Sequence, residues 1–266
     1  MTDIHVTIWD DTGGTAETAL LVHGSTSWGT DPALGFGAQR PLAAVCRLLV
    51  MDRRGYGASA DTPHSDYAVD ADDIARLLAD TGGAHLVGNS YGTAGAMLAA
   101  ARCPEFVRSL TLIGTGNYQV AADDPVVAAA LRANRENHAR LPQDLPAEVY
   151  LRAATDSVGW QPLPPTRARL RAAASALRER PCWEAQIPVG PLRAAPFPKL
   201  VIDGTWETAP TLYRQRGGEP LMACARITAE RIGARLLRIP GASHYPQVER
   251  PEAVNDALRE MFSVAA

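Results

Sequence analysis

The chain has 266 residues, of which 46% are hydrophobic and 21% charged, a composition that suits one α/β domain with an inserted subdomain. Nothing in its formal net charge of −3 implies a nucleic-acid or strongly anionic partner. Cys46, Cys103, Cys182 and Cys224 are widely spaced with no CxxC pair, which argues against a metal site or a disulfide framework and fits small apolar core residues. No run approaches the ~18 apolar residues of a membrane span. The opening MTDIHVTIWDD lacks the apolar centre of a signal peptide, so a cytoplasmic location is expected.

In chain order, residues 4–9 read as a strand. Apolar runs at 19–22 (ALLV), 46–51 (CRLLVM) and 84–88 (AHLVG) follow, ending at His23-Gly24, Asp52 and Asn89-Ser90 respectively. Helical spacing of Ile74, Leu77 and Leu78 marks 70–80, which Gly82-Gly83 terminates. An Ala-rich helix is predicted over 91–102 and a strand over 107–113. Strands alternating with helices at this spacing indicate βαβ units and a parallel sheet. From 118 to 195 the rhythm changes to helices punctuated by prolines, which predicts a helical cap inserted into a core made of 1–117 and 196–266. The α/β pattern resumes with a strand at 199–202, a helix near 218–232, a strand at 235–239 and a final helix near 252–262.

Residues 88–92 read Gly-Asn-Ser-Tyr-Gly, between an apolar strand and a helix. A serine on so tight a turn projects its hydroxyl outward, and only very small residues fit two positions to either side. Ser90 is therefore the candidate nucleophile. A serine hydroxyl needs a base to take its proton, and histidine titrates in the right range. Of six histidines, His244 alone lies in a loop between a late strand and the last helix, at the strand edge where open α/β sheets place their sites. A carboxylate must orient that histidine. Glu207, in the loop after 199–202, is the expected acid; Asp123 and Asp124, taken to follow the sixth strand of the core, are the alternatives. Backbone N–H groups of Tyr91 and Ser25 are the expected oxyanion donors. Trp28 is a candidate pocket residue. Asp52 in DRRGYGAS (52–59) reads as a turn-former bordering the site.

The set HG at 23–24, DRRGYGAS at 52–59, GNSYG at 88–92, GTWE at 204–207 and GASHYPQVERPEAV at 241–254 resembles the α/β-hydrolase superfamily. That resemblance implies a mostly parallel sheet flanked by helices, with Ser90 as nucleophile and His244 as base, and says little about substrate; the expected reaction is cofactor-free acyl transfer to water from a small ester or lactone through an acyl-enzyme on Ser90. It implies no metal, no organic cofactor, and no nucleic-acid or membrane partner. Cleavage of a C–C bond in a diketone-like substrate is the second enzymatic reading, and a non-catalytic ligand-binding protein on the same fold is the third. Thr93 stands where the superfamily often has a further glycine. The run Arg167, Arg169, Arg171, Arg178 and Arg180 reads as either a solvated helix face or a site for an anionic group.

Overall fold

The computed structural model describes residues 4–142, 144–157 and 161–264. Seven strands, β1 (Val6–Trp9), β2 (Thr18–Val22), β3 (Arg47–Met51), β4 (Ala84–Asn89), β5 (Val107–Ile113), β6 (Lys199–Gly204) and β7 (Arg235–Ile239), form one sheet. Their order is β1-β3-β2-β4-β5-β6-β7. Only β1 runs antiparallel to its neighbour; the other pairings are parallel. The chain thus has the α/β-hydrolase fold.

Period-two alternation divides the central strands between two cores. On β2, Leu20 and Val22 face one side and Ala19 and Leu21 the other. The first side packs under α1 (Tyr67–Asp80) and α2 (Gly92–Arg102) through Ile74, Leu78 and Met97. β4 is buried along its whole length, as a strand covered on both faces must be. Helix α1 begins three residues earlier than its apolar spacing predicts, because Asp66 caps it by accepting from the Ala68 and Val69 amides. The predicted strands at 107–113 and 235–239 match β5 and β7.

Between β5 and β6 the chain is helical, as predicted: α3 (Pro125–Ala139), α4 (Ala147–Ser157), α5 (Arg167–Ala176) and α6 (Val189–Ala194), with single turns at Tyr118–Ala121 and Cys182–Glu184. After β6 come the short α7 (Thr211–Tyr213), a π-turn at Arg214–Gly218 and α8 (Glu219–Ile232). After β7 come α9 (Pro246–Glu249) and α10 (Pro251–Val264), whose Val254 and Leu258 fill the second core.

Arginines fasten the insertion to the sheet. Arg169 on α5 pairs with Asp31 and donates to the Thr26 carbonyl at 2.7 Å, with all three residues buried. Arg171 binds Asp61 and the Gly57 and Ser59 carbonyls; Arg180 binds Asp66. Arg167 and Arg178 are exposed. Most of this arginine run therefore anchors the insertion, and neither a free anion site nor a purely solvated face describes it. Four free cysteines complete the picture, three of them buried. Among the described residues no helix is long and apolar enough to cross a membrane.

Removing one member of a buried ion pair leaves the other charge desolvated. Arg169→Ala should therefore destabilise the protein by about 3–5 kcal/mol. Urea denaturation against wild type, followed by tryptophan fluorescence, measures it; a loss under about 1 kcal/mol would mean that Asp31 is not buried as described.

Candidate active site

The strand order puts β4 at the middle of the sheet, so the loops after β2, β4, β5 and β7 meet at one edge. Ser90 ends β4 with φ +48°, a left-handed conformation unusual for a non-glycine residue. Its amide bonds the Ile113 carbonyl at 2.8 Å, so the strained turn is tied to β5. The loop after β2 passes so near that a Cβ on Gly24 would stand 2.9 Å from Ser90 Cβ, and one on Gly92 would stand 2.5 Å from the Val22 carbonyl oxygen. Glycine is required at both. Thr93, the departure from the superfamily pattern, has a local role: its hydroxyl donates to the Ser90 carbonyl at 2.6 Å and accepts from Asn117 Nδ2 at 2.7 Å.

Ser90 Oγ lies 3.0 Å from His244 Nε2. The two residues are 154 positions apart in sequence, and the fold brings them together as the motif reading requires. Glu249, which that reading missed, shapes the histidine loop. Its carboxylate accepts from the Ser243 and Tyr245 amides, both at 2.9 Å, and from the Ser243 hydroxyl. Its position in a helix turn just after the histidine was the available signal.

The expected acid is not brought to the histidine. His244 Nδ1 has no hydrogen-bond partner. Trp206 takes φ +56° and its indole is fully buried against Gly218, which turns the next residue, Glu207, out to solvent. The Trp206 and His244 rings are 6.4 Å apart, so an indole neighbours the imidazole. Asp123 pairs with Arg231, and Asp124 caps α3 through the Val126 and Val127 amides, so neither alternative fills the place. The strand preceding them is also the fifth of this sheet rather than the sixth. Asp203 is buried, accepts from the Gly204 amide at 2.9 Å and is pushed up to about 7 by burial. With burial as its cause and no counter-charge beside it, His244 is pushed down to about 4.

Among the described residues, no backbone acceptor in the surrounding loops and turns takes the Ser25 or Tyr91 amide. The Ser25 loop is fixed by His23, whose Nε2 accepts from the Arg53 amide at 3.0 Å; Nδ1 therefore carries the hydrogen and donates to the Gly24 carbonyl at 2.7 Å. Burial holds His23 neutral, well below its ordinary value. Asp52 is structural, as expected, accepting from the Gly29 and Ala58 amides. Trp28 does not line the cavity; its ring lies under the Arg169 guanidinium at 4.7 Å.

Ser90 and His244 open into a cavity of about 410 Å³ between the sheet edge and the insertion. Tyr91, Tyr118 and Glu179 line its interior, and Asn137, His138 and Arg216 its exposed mouth. Among the described residues no group of three His, Cys, Asp or Glu side chains is arranged to hold a metal ion.

A sequence profile of the alpha/beta hydrolase family matches residues 19–257. The chain belongs to that family. This hydrolase is 28% identical over 263 residues to the 2-(acetamidomethylene)succinate hydrolase of Mesorhizobium japonicum, spanning 92% of this chain and 87% of that protein. It superposes on a thermophilic esterase from Thermogutta terrifontis, solved with malate bound, with a TM-score of 0.68 and 26% identity over 98% of this chain and 93% of the other. The enol-lactonase of Burkholderia xenovorans shares the fold at 21% identity, with a TM-score of 0.60 over 98% and 96% of the two chains.

If burial without a carboxylate partner sets the basicity of His244, its ring should titrate near pH 4 rather than near 6.5. Imidazole nitrogen and carbon shifts followed by NMR from pH 3 to 8 will show it. A midpoint above 6.5 would mean that a carboxylate reaches Nδ1 in solution.

Proposed function

We propose that this hydrolase cleaves a small ester or lactone through an acyl-enzyme on Ser90. The observation that carries the reading is the 3.0 Å contact between Ser90 Oγ and His244 Nε2 at the foot of the cavity. His244 Nε2 accepts the hydroxyl proton as Oγ bonds to the substrate carbonyl carbon, and the Ser25 and Tyr91 amides take up the negative charge formed on its oxygen. The imidazolium returns the proton to the departing alkoxide. A water then gives its proton to His244, attacks the acyl carbon and releases the acid, restoring Ser90. The helical insertion acts as a cap over this chemistry, and no cofactor has a step in it.

In this reading Ser90 and His244 work as a dyad, with Trp206 rather than Glu207 beside the ring. Two features favour a compact, neutral acyl group. The cavity volume suits a small ligand. The cations near it are paired or peripheral: Arg53 is neutralised by carboxylates, and Arg216 sits exposed at the mouth. The similar Mesorhizobium protein is named for a succinate derivative, whereas no buried, unpaired guanidinium among the described residues of this cavity is placed to hold a carboxylate.

A p-nitrophenyl alkylphosphonate should label Ser90, found by peptide mapping, and Ser90→Ala should lower kcat on p-nitrophenyl esters by roughly 10⁴-fold or more. An adduct on another serine would overturn the assignment. Glu207→Gln should stay within about threefold of wild type, like other exposed changes, whereas a loss of roughly 10⁴-fold would restore Glu207 as the acid. Because His244 is pushed down to about 4, it stays neutral, and so able to accept a proton, through most of the acid range. kcat/KM should accordingly hold down to about pH 5 and fall only as pH drops through about 4. A fall centred near pH 6.5 would place a carboxylate beside the ring.

A further inference from the structure

The loop that carries Ser25 is strained next to the amide expected to bind the oxyanion. Ser25 and Thr26 form the turn that follows His23-Gly24, and both line the cavity. Thr26 is buried at φ +54°, a left-handed conformation that a β-branched residue seldom takes. Such a conformation persists only where the surroundings over-determine it. Upstream, His23 Nδ1 donates to the Gly24 carbonyl at 2.7 Å. That carbonyl shares a planar trans peptide with the Ser25 N–H, so the amide points away from His23. One hydrogen bond fixes the oxygen but lets the peptide plane swing about it, and a second anchor is needed downstream.

Arg169 supplies that anchor from the insertion, 143 positions away in sequence. Among the described residues the Thr26 carbonyl is the one backbone group of Ser25, Thr26 and Ser27 that a side chain binds, and its donor is Arg169 Nη1 at 2.7 Å. The guanidinium is itself held firmly. Asp31 accepts from both Nη1 and Nη2, the latter at 2.7 Å, and the Trp28 ring centre lies 4.7 Å from the guanidinium carbon. Asp31 is fixed in turn by Ser27 Oγ and the Ala33 amide, each at 3.0 Å. The other arginines that fasten the insertion, Arg171 and Arg180, bind Gly57, Ser59, Asp61 and Asp66, none of which belongs to this loop.

We propose that Arg169 is a positioning residue for the oxyanion hole: by holding the Thr26 carbonyl it keeps the strained turn closed and aims the Ser25 amide at the carbonyl oxygen of the substrate. The inference rests on the Ser90 acyl-enzyme reading. Docking of the insertion is then part of assembling the catalytic geometry, because a side chain of α5 completes a loop of the core. Its effect falls on the tetrahedral state, where charge sits on that oxygen, more than on the bound ester.

The test measures turnover of p-nitrophenyl butanoate per Ser90 titrated with a p-nitrophenyl alkylphosphonate, so unfolded protein is not counted. Arg169→Gln/Asp31→Asn removes both charges together, leaving no lone buried ion, and shortens the donor that reaches Thr26. Arg169→Lys keeps a charge beside Asp31. Each should lower kcat by roughly 10- to 100-fold with KM within about threefold, as expected when one oxyanion donor is displaced rather than deleted. Arg171→Gln loosens the same helix without touching the loop and should stay within about threefold of wild type. Propyl trifluoromethyl ketone takes Ser90 Oγ on its carbonyl carbon, passes the hydroxyl proton to His244 and leaves negative charge on its oxygen. Its inhibition should weaken in the Arg169 variants by the same factor as kcat/KM, while methyl propyl ketone, whose carbonyl stays trigonal, should bind as in wild type. Glycine reaches φ +54° without strain, so in a Thr26→Gly background the loss caused by Arg169→Lys should shrink by about threefold or more. Full turnover in both Arg169 variants, an equal loss in Arg171→Gln, equal weakening of the two ketones, or a loss that Thr26→Gly leaves unchanged would each overturn the inference. A wild type that takes no phosphonate on Ser90 brings down the acyl-enzyme reading instead, and this inference with it.

Discussion

The site depends on how closely three backbone segments approach one another at the end of β4. Ser90 is held in a left-handed conformation while the β2 loop and the first turn of α2 pass within contact distance of it. That arrangement costs backbone strain of order 1–3 kcal/mol. It is maintained because the Ser90 amide is tied to β5, its carbonyl to Thr93, and the neighbouring Asn89 to Gln247 of α9. These restraints come from different elements, so the direction of the hydroxyl is a property of the assembled sheet rather than of the five-residue motif.

Desolvation sets the chemical character of the same region. His244, His23, Asp203 and Glu179 are all buried, and burial moves each toward its neutral form. A neutral imidazole is the form a general base needs, so the burial of His244 is compatible with the role proposed for it. Among the charges in the interior are arginine–carboxylate pairs, such as Arg169–Asp31, whose forked geometry satisfies several acceptors at once. Arg169 serves two purposes in this way, joining α5 to Asp31 and holding the carbonyl of Thr26, itself at φ +54° beside Ser25.

Much of this was legible in the sequence because it follows from pattern. Apolar runs bounded by turn residues located all seven strands, and the change of rhythm after β5 located the helical insertion. The closeness of Ser90 and His244 was legible because each sits at a strand end with distinctive neighbours. The failures share a cause: they concern the direction in which a side chain points within a loop. Glu207 has the expected spacing from β6, but the left-handed turn at Trp206 buries the indole and sends the carboxylate outward, and no periodic signal reports such a turn. Asp124 is engaged by a local cap and Asp123 by Arg231 on a distant helix. Trp28 follows the β2 loop in sequence, yet it does not line the cavity, and its face is covered by Arg169. Glu179 was invisible for a different reason: an acid in an arginine-rich stretch looks like solvated surface until Arg53 is seen to lie opposite it.

The two ends of the insertion are built differently, and this bears on how ligands come and go. Around α5 and the segment after it, Arg169, Arg171, Arg180 and Glu179 are bound to core partners, and the Arg169 and Glu179 pairs are sealed from water. The far end of α3, with Asn137, His138 and Leu141, is exposed at the cavity mouth. Lifting the whole insertion would separate buried charges, whereas passage beside α3 disturbs none of them. A path beside α3 therefore leaves the buried ion pairs of the insertion intact.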